Sequence, residues 1–115
     1  MNYTIATGVL NGRSSKKLAG NTYLHPTVAG IRLRYYQTDI IHFFKNGDIL
    51  VDTDNHLTAS TKDRLNDFLP MSHQGVYQKK GIWYWKDGVP FQDRTMIRED
   101  TQLRRVLHKD NIKLK

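Results

Sequence analysis

The clearest pattern in the chain is a pair of apolar runs separated by Asn46-Gly47. Both residues tolerate positive φ, and this dipeptide commonly closes two-residue β-hairpins. The pattern therefore predicts paired antiparallel strands over residues 39–45 and 48–52. Apolar residues face both sides of the first strand, which is typical of a central strand. His42 lies within it and is predicted to be a hydrogen-bonded core histidine.

A strand with a basic outer side precedes this hairpin. In "IRLRYYQ", residues 31–37, polar and apolar positions alternate. Residues 31, 33 and 35 are predicted to face the core, and Arg32 and Arg34 to face solvent.

Further upstream the pattern is weaker. Residues 21–26, "NTYLHP", are predicted to form a strand, and residues 3–10, "YTIATGVL", a less regular one. The segment between them begins and ends near glycines and has a basic middle, so we expect a mobile loop that carries Lys16 and Lys17.

The segment "VYQKKGIWYW", residues 76–85, predicts a second hairpin that turns at residues 79–81. Alternation places Trp83 and Trp85 on one face and the pair Ile82 and Tyr84 on the other. One face must belong to the core, and the sequence leaves open which pair does.

Two helices are predicted. The stretch "LTASTKDRLNDFLP" has Ser60 and Asp63 at the spacing of a capping box, three apolar residues on one face, and Pro70 as its end. The opposite face, with Lys62, Arg64 and Asn66, is predicted to be solvated. The free N–H groups at the helix start could alternatively bind an anion.

The tail over residues 95–111 is predicted to be the second helix, because four apolar positions fall near one helical stripe. Asp100 or Thr101 would cap it. Together these elements predict an α+β fold: a mainly antiparallel sheet built of hairpins, with one or two short helices packed on it. With 115 residues, the chain is predicted to form a single domain.

Charge narrows the classes of partner. Eighteen basic and eleven acidic residues give a net charge of +7, which favours an acidic partner. The chain has no cysteine and no long apolar run, so we expect a cytoplasmic protein without membrane contact. Its oligomeric state does not follow from the sequence.

Residues 31–85 resemble a small-protein family met in bacteriophage genomes. The shared features are the strand beginning Thr38-Asp39-Ile40, the Asn46-Gly47 hairpin, the helix start of residues 58–66 and a late aromatic strand after a lysine-glycine turn. Residues 52–57, "DTDNHL", depart from the Gly-Gly-aromatic step of that pattern. The resemblance implies a phage or prophage setting, and host-cell cytoplasm, but no particular chemistry.

Few residues predict catalysis. Asp52, Asp54 and His56 could hold a divalent cation through oxygen and imidazole ligands, although polar residues after a strand are usually turn formers. An acid–base pair of His42 with Asp39 or Asp52 is a second alternative. No phosphate loop or nucleophile motif is present, so we expect no cofactor and favour a non-enzyme.

The leading hypothesis is a small basic binding module that contacts nucleic acid through a basic and aromatic sheet face, with the tryptophans stacking on bases beside the arginines. Its predicted contact residues are Arg32, Arg34, Lys79, Lys80, Trp83, Trp85, Lys16, Lys17, Lys62 and Arg64. The alternative is an accessory protein that binds and modulates a host protein, for example a defence inhibitor, through its acidic segment or exposed aromatic residues. A metal-dependent hydrolase comes third.

Overall fold

The computed structural model of the chain describes residues 1–70 and 75–107, and these ranges form two helices and nine strands. The helices are α1 (Tyr3–Leu10) and α2 (Ala59–Phe68). The strands are β1 (Lys16–Ala19), β2 (Thr22–Pro26), β3 (Gly30–Tyr35), β4 (Thr38–Phe44), β5 (Ile49–Val51), β6 (Val76–Lys79), β7 (Ile82–Trp85), β8 (Thr95–Ile97) and β9 (Arg104–Val106). The main sheet has the order β1-β2-β3-β4-β5-β8-β9, and β6 and β7 form a separate hairpin. All pairs are antiparallel, so the predicted α+β fold is confirmed.

The predicted central hairpin is confirmed. β4 pairs with β5 through Ile41 opposite Val51 and Phe43 opposite Ile49. Gly47 closes the turn at φ 96°, a conformation that L side chains rarely adopt. A Cβ at this position would also meet the carboxylate of Glu99, but that is the end of an exposed, flexible side chain that can move aside, so it is the backbone conformation that requires glycine.

The core lies on one side of the main sheet. Leu24, Leu33 and Ile41 on neighbouring strands are fully buried there, and each contributes roughly 1.5–3 kcal/mol on burial. The helices cover this side with Ala6, Leu10, Leu65 and Leu69, and the β6–β7 hairpin adds Val76, Trp83 and Trp85. The opposite side of β2 and β3 carries the polar members of these alternating strands, and β4 adds both Asp39 and the buried Phe44 to it.

The two predictions for the N-terminal region are wrong. Residues 3–10 form α1 because the Asn2 side chain caps the helix by accepting from the Ile5 N–H at 2.9 Å, and Asn11 ends it at φ 50°. The predicted basic loop contains β1, which pairs with β2 through Lys17 opposite Tyr23. Pairing with a neighbouring strand, which a local pattern cannot show, decides this segment.

The predicted tail helix is also wrong across the described residues up to 107. β8 extends the main sheet from β5, and β9 pairs back onto β8. Thr95 and Ile97 are buried at the two-residue period of a strand, whereas Leu103 and Val106 are exposed. The apolar positions therefore form no helical stripe, and residues 108–111 of the prediction lie outside the described ranges.

Candidate functional site

Four polar side chains meet on the outer side of the main sheet and are called here the sheet cluster: His25, Arg32, Arg34 and Asp39. The two Asp39 carboxylate oxygens accept from His25 Nε2 at 2.9 Å, Arg34 Nε at 3.0 Å and an Arg32 terminal nitrogen at 3.3 Å. The strand register explains this convergence, because His25 lies opposite Arg32 on β3, and Arg34 lies opposite Asp39 on β4.

The sheet cluster places two arginines and a histidine around one carboxylate, and Arg32 Nε is buried without a hydrogen-bond partner among the described residues. Burial raises the pKa of Asp39, but hydrogen bonds from Arg34 and His25 outweigh it and leave the pKa below its usual value. Asp39 therefore stays ionised at neutral pH and holds both arginines. Arg34 keeps 46% of its side chain exposed and Arg32 only 17%, so both predicted contact residues are held by a carboxylate of the protein itself.

His42 is a buried core histidine, as predicted. Its Nε2 lies 3.1 Å from Thr27 Oγ1, and its ring packs on Phe44 with centroids 4.0 Å apart. Burial, with a smaller contribution from the charge on Arg32, lowers the pKa of His42 to about 4. The ion pair with Asp39 is made by His25 instead, so the structure does not form the alternative acid–base pair of His42 and Asp39.

The predicted tryptophan platform is wrong. Trp83 and Trp85 are 4% and 2% exposed and pack against Phe91 at centroid distances of 5.5 and 5.2 Å. They are core residues, and the guanidinium near Trp85 is that of Arg104, not Arg32 or Arg34. Neither indole can stack on a base in this conformation.

The other side of the same hairpin is exposed. Tyr77 lies opposite Tyr84 and Lys79 opposite Ile82, so these four residues share a surface, called here the hairpin face. The two tyrosine rings are stacked, with centroids 5.5 Å apart and an interplanar angle of 23°. Tyr77 is 39% exposed and Ile82 55%.

One lysine belongs to the hairpin face, and two more follow its strands in the chain. Lys79 and Lys80 are exposed near its turn, where Lys80 has φ 53°, and Lys86 is exposed just beyond β7. None of the three forms an ion pair within residues 1–70 and 75–107. The carboxylate next in sequence, Asp87, is bound by Arg104, and this hydrogen bond lowers the pKa of Asp87.

The start of α2 differs in detail from its prediction. Thr58, not Ser60, is the N-cap, and its side chain accepts from the Thr61 N–H at 3.2 Å. The buried apolar face and the end before Pro70 are confirmed, with Leu65 and Leu69 in the core.

Two of the three side chains predicted to be solvated on α2 are in fact bound. Arg64 donates to Thr22 Oγ1 at 2.8 Å and lies over the Tyr35 ring at 4.9 Å. Asn66 exchanges two hydrogen bonds with the backbone of Val76, at 2.7 and 2.9 Å. Both residues therefore join elements of the fold, and only Lys62 remains partly exposed without such a role.

The acidic segment after β5 is a turn. Asp52 accepts from the Asp54 N–H at 3.0 Å, and Asp54 and Asn55 adopt positive φ. Asp93 fixes the turn by accepting from the Thr53 and Asn55 N–H groups, both at 2.8 Å. Burial raises the pKa of Asp52.

The same segment does not assemble the predicted metal ligands. His56 Nδ1 contacts Thr38 Oγ1 at 3.2 Å instead of the aspartates. In the part of the chain that the structure describes, no three His, Cys, Asp or Glu side chains are placed to hold a metal ion.

Comparison with known families agrees with the resemblance seen in the sequence. Residues 1–104 match the family described as Kyanoviridae Gp96 protein, a phage protein family of unknown function. The chain belongs to this family. No curated protein and no solved structure matches it. Within the described residues, no helix is both long and apolar enough to cross a bilayer.

The sequence predicted the late hairpin as a candidate contact surface, with Trp83 and Trp85 as its aromatic contacts, whereas the structure buries both and turns Tyr77 outward. Alternation places Tyr84 on the side opposite the tryptophans, but Tyr77 is not among the predicted contact residues. Val76 and Trp85 form the neighbouring buried cross-strand pair, so Tyr77 points to the opposite side of the hairpin. The pairing of Tyr77 with Tyr84 follows from the position of the turn at Lys80-Gly81. With that register, the two tyrosines fall on one side.

Proposed function

We propose that this phage protein binds single-stranded nucleic acid through the hairpin face. The observation that carries the proposal is the stacked pair of Tyr77, which is exposed, and Tyr84, which is half-buried; the pair shares its surface with Lys79 and Ile82. Single-stranded nucleic acids bind to aromatic side chains on which bases stack, next to cations that neutralise phosphates. The location we infer is the host cytoplasm.

The surrounding charges support this choice. Lys79, Lys80 and Lys86 have no carboxylate partner in the described ranges, so an incoming phosphate would not have to displace one. Lysine acts at such sites as a mobile point charge, suited to a flexible backbone without fixed geometry. The hairpin face therefore combines aromatic rings on which any base can stack with flexible lysines that can bind the phosphates of a nucleic-acid strand.

The outer side of the main sheet, where Arg34 of the sheet cluster lies, is a weaker second contact surface. Lys17, Tyr23 and Arg34 lie side by side across β1, β2 and β3, and Tyr23 is 38% exposed. Arg34 is already bound by Asp39, so phosphate binding there competes with an existing ion pair. We therefore place the main contact on the hairpin face.

The test is fluorescence-anisotropy binding of labelled single-stranded DNA and RNA oligonucleotides. Replacing Tyr77 and Tyr84 by Ala should weaken binding by roughly tenfold or more, because each stacked base contributes about 1–3 kcal/mol. Wild-type affinity should fall as salt rises, with a logarithmic slope of about −0.7 per neutralised phosphate.

Tyr23→Ala is a matched control, since Tyr23 and Tyr77 have nearly equal exposure, 38% and 39%. It should weaken binding far less than the double tyrosine variant, because Tyr23 lies on the weaker second surface. A loss of binding in Tyr23→Ala with none in the double tyrosine variant would move the site to the main sheet. No oligonucleotide binding at low salt would reject the proposal altogether.

A host protein is the second candidate partner. The 55% exposure of Ile82 beside two aromatic rings favours it, because exposed apolar and aromatic side chains are typical of protein interfaces. The acidic segment is a poorer interface than predicted, since Asp39 is bound and Asp52 half-buried. If a defined protein is retained from nuclease-treated host lysate by the wild type but not by Ile82→Lys, this alternative replaces the first.

A further inference from the structure

A cleft opens between the β3–β4 turn and the start of α2 and is called here the turn–helix cleft. Its volume is about 330 Å³, within the lower range of small-molecule sites, roughly 300–1,000 Å³. It is lined by Tyr35, Tyr36, Thr38, His56, Thr58 and Ser60, among others. One wall is aromatic and the other carries hydroxyl and imidazole groups.

The aromatic wall is held in place from behind. The Arg64 guanidinium lies 4.9 Å from the Tyr35 ring centroid and is itself fixed by Thr22, so the Tyr35 ring has little freedom. Tyr36 meets Tyr35 edge to face, with centroids 4.7 Å apart and an interplanar angle of 64°. The pair forms a corner against which a flat ring can pack.

Tyr36 is an unusual residue at its position. Its φ is 55°, a region in which a bulky side chain is uncommon, yet its ring is 60% exposed. Asn or Gly would form this turn with less strain, and burial does not offset the cost of tyrosine. Strained residues persist mainly where the conformation serves a function. An exposed ring at the mouth of a cleft is such a case.

The polar wall has hydrogen-bonding capacity to spare. Thr58 is committed to capping α2, and the Thr38 hydroxyl contacts His56 Nδ1 at 3.2 Å. This contact orients the imidazole of His56 and leaves its Nε2 without a protein partner in the described residues. Ser60 Oγ is 3.3 Å from Thr58 Oγ1, and one hydroxyl can form further hydrogen bonds.

The charge of the lining restricts the ligand class. Among the described residues, the cleft lining includes no Asp, Glu, Lys or Arg, so recognition there must rest on packing and hydrogen bonding and not on ion pairs. A flat ring with polar edges suits this lining, because aromatic side chains offer it a packing surface and hydroxyl and imidazole groups offer its edge hydrogen bonds.

We propose that the turn–helix cleft binds a nucleoside unit, with the base packed on Tyr36 and its polar edge hydrogen-bonded to His56 and Ser60. The unit comes either from a free mononucleotide or from one nucleotide of a bound strand. This site uses none of the residues of the hairpin face, so it stands or falls separately from the binding proposed there.

The experiment is an NMR titration of the ¹⁵N-labelled full chain. One arm uses adenosine monophosphate, a second uses ribose 5-phosphate, which lacks the base, and a third uses a single-stranded oligonucleotide. The mononucleotide should shift backbone amides at the lining residues, and ribose 5-phosphate should not. Shifts at the lining with the oligonucleotide alone would also support the site and identify a strand as the source.

The matched variant is Tyr36→Asn, since Asn accepts positive φ and preserves the turn while removing the ring. It should weaken binding of the nucleoside unit by about tenfold, as expected for loss of one stacking contact. Val28→Ala changes an exposed residue outside the cleft lining and outside the hairpin face, and it should leave the shifts of the lining amides unchanged. The proposal is overturned if neither ligand shifts the lining amides, if ribose 5-phosphate reproduces the shifts, or if folded Tyr36→Asn binds like the wild type.

Discussion

The sheet cluster and the hairpin face both place basic side chains on the outer side of antiparallel strands, but their cations have different partners. In the sheet cluster Arg32 and Arg34 converge on Asp39, which the neighbouring strand supplies. On the hairpin face Lys79 sits beside stacked tyrosines, with no carboxylate opposite it in the strand register. A strand pattern can therefore predict which basic residues face outward. Whether each of them is paired with a carboxylate depends on the residues of the neighbouring strand.

The strongest test of this comparison uses the two sides of β7. Trp85→Ala should lower the free energy of unfolding by about 3–5 kcal/mol, because it empties a buried indole site. Tyr84→Ala should cost under about 1 kcal/mol, since it removes one cross-strand ring pair at the surface. Urea unfolding followed by circular dichroism measures both, and equal losses would contradict the assignment of the two faces.

The next prediction concerns the pH dependence of stability. It tests His42, which lies opposite Arg32 of the sheet cluster and has no counterpart on the hairpin face. Because the folded pKa of His42 is about 4 and its ordinary value 6.5, protonation favours the unfolded chain. The contribution of His42 is complete above pH 6.5 and is lost as the pH falls from 6.5 to 4, by up to about 3 kcal/mol.

The matched variant is His42→Gln, which is neutral at every pH and can keep a hydrogen bond to Thr27. Urea unfolding at a series of pH values should show a flatter dependence between pH 6.5 and 4 in this variant. The lowered pKa of Asp39 acts in a different window, since its contribution is lost only below the ordinary carboxylate pKa. An unchanged slope in His42→Gln would mean that other groups cause the loss.

Local signals predicted the parts of the fold that local chemistry decides. Asn46-Gly47 identified the central hairpin, and the alternation around Leu33 identified the inward side of β3. The errors fall where a distant partner decides the structure. β8 is a strand because β5 offers an edge, and no pattern within residues 95–107 reveals that edge.

The candidate site was predictable to the same extent. The sequence predicted the late hairpin and its lysines as a candidate contact surface, but the burial of Trp83 and Trp85 depends on Phe91, which lies outside the hairpin. Likewise, the role of Asp39 depends on a register shift next to Leu33, which brings Arg34 opposite Asp39. Such a shift has no signature in the strand pattern itself.

The sharpest comparison of the two surfaces is Asp39→Asn, because it frees the sheet cluster without changing its shape. Loss of the charge-assisted hydrogen bonds should lower stability by about 1–3 kcal/mol. Oligonucleotide affinity should rise a few-fold. The side chain of Arg34 is already 46% exposed, and without its ion pair to residue 39 the guanidinium can bind a phosphate beside Tyr23.

Asp87→Asn is the control for Asp39→Asn, because it removes a carboxylate bound by a single arginine, Arg104, at the protein surface. It should change stability little, as exposed ion pairs do. If the affinity gain of Asp39→Asn vanishes when Arg34 is also replaced by Gln, the Asp39 carboxylate is what prevents Arg34 from binding the oligonucleotide. If Asp39→Asn leaves oligonucleotide affinity unchanged, an unpaired guanidinium is not sufficient for binding. The difference between the two surfaces would then lie in the stacked tyrosine pair, which the sheet cluster lacks.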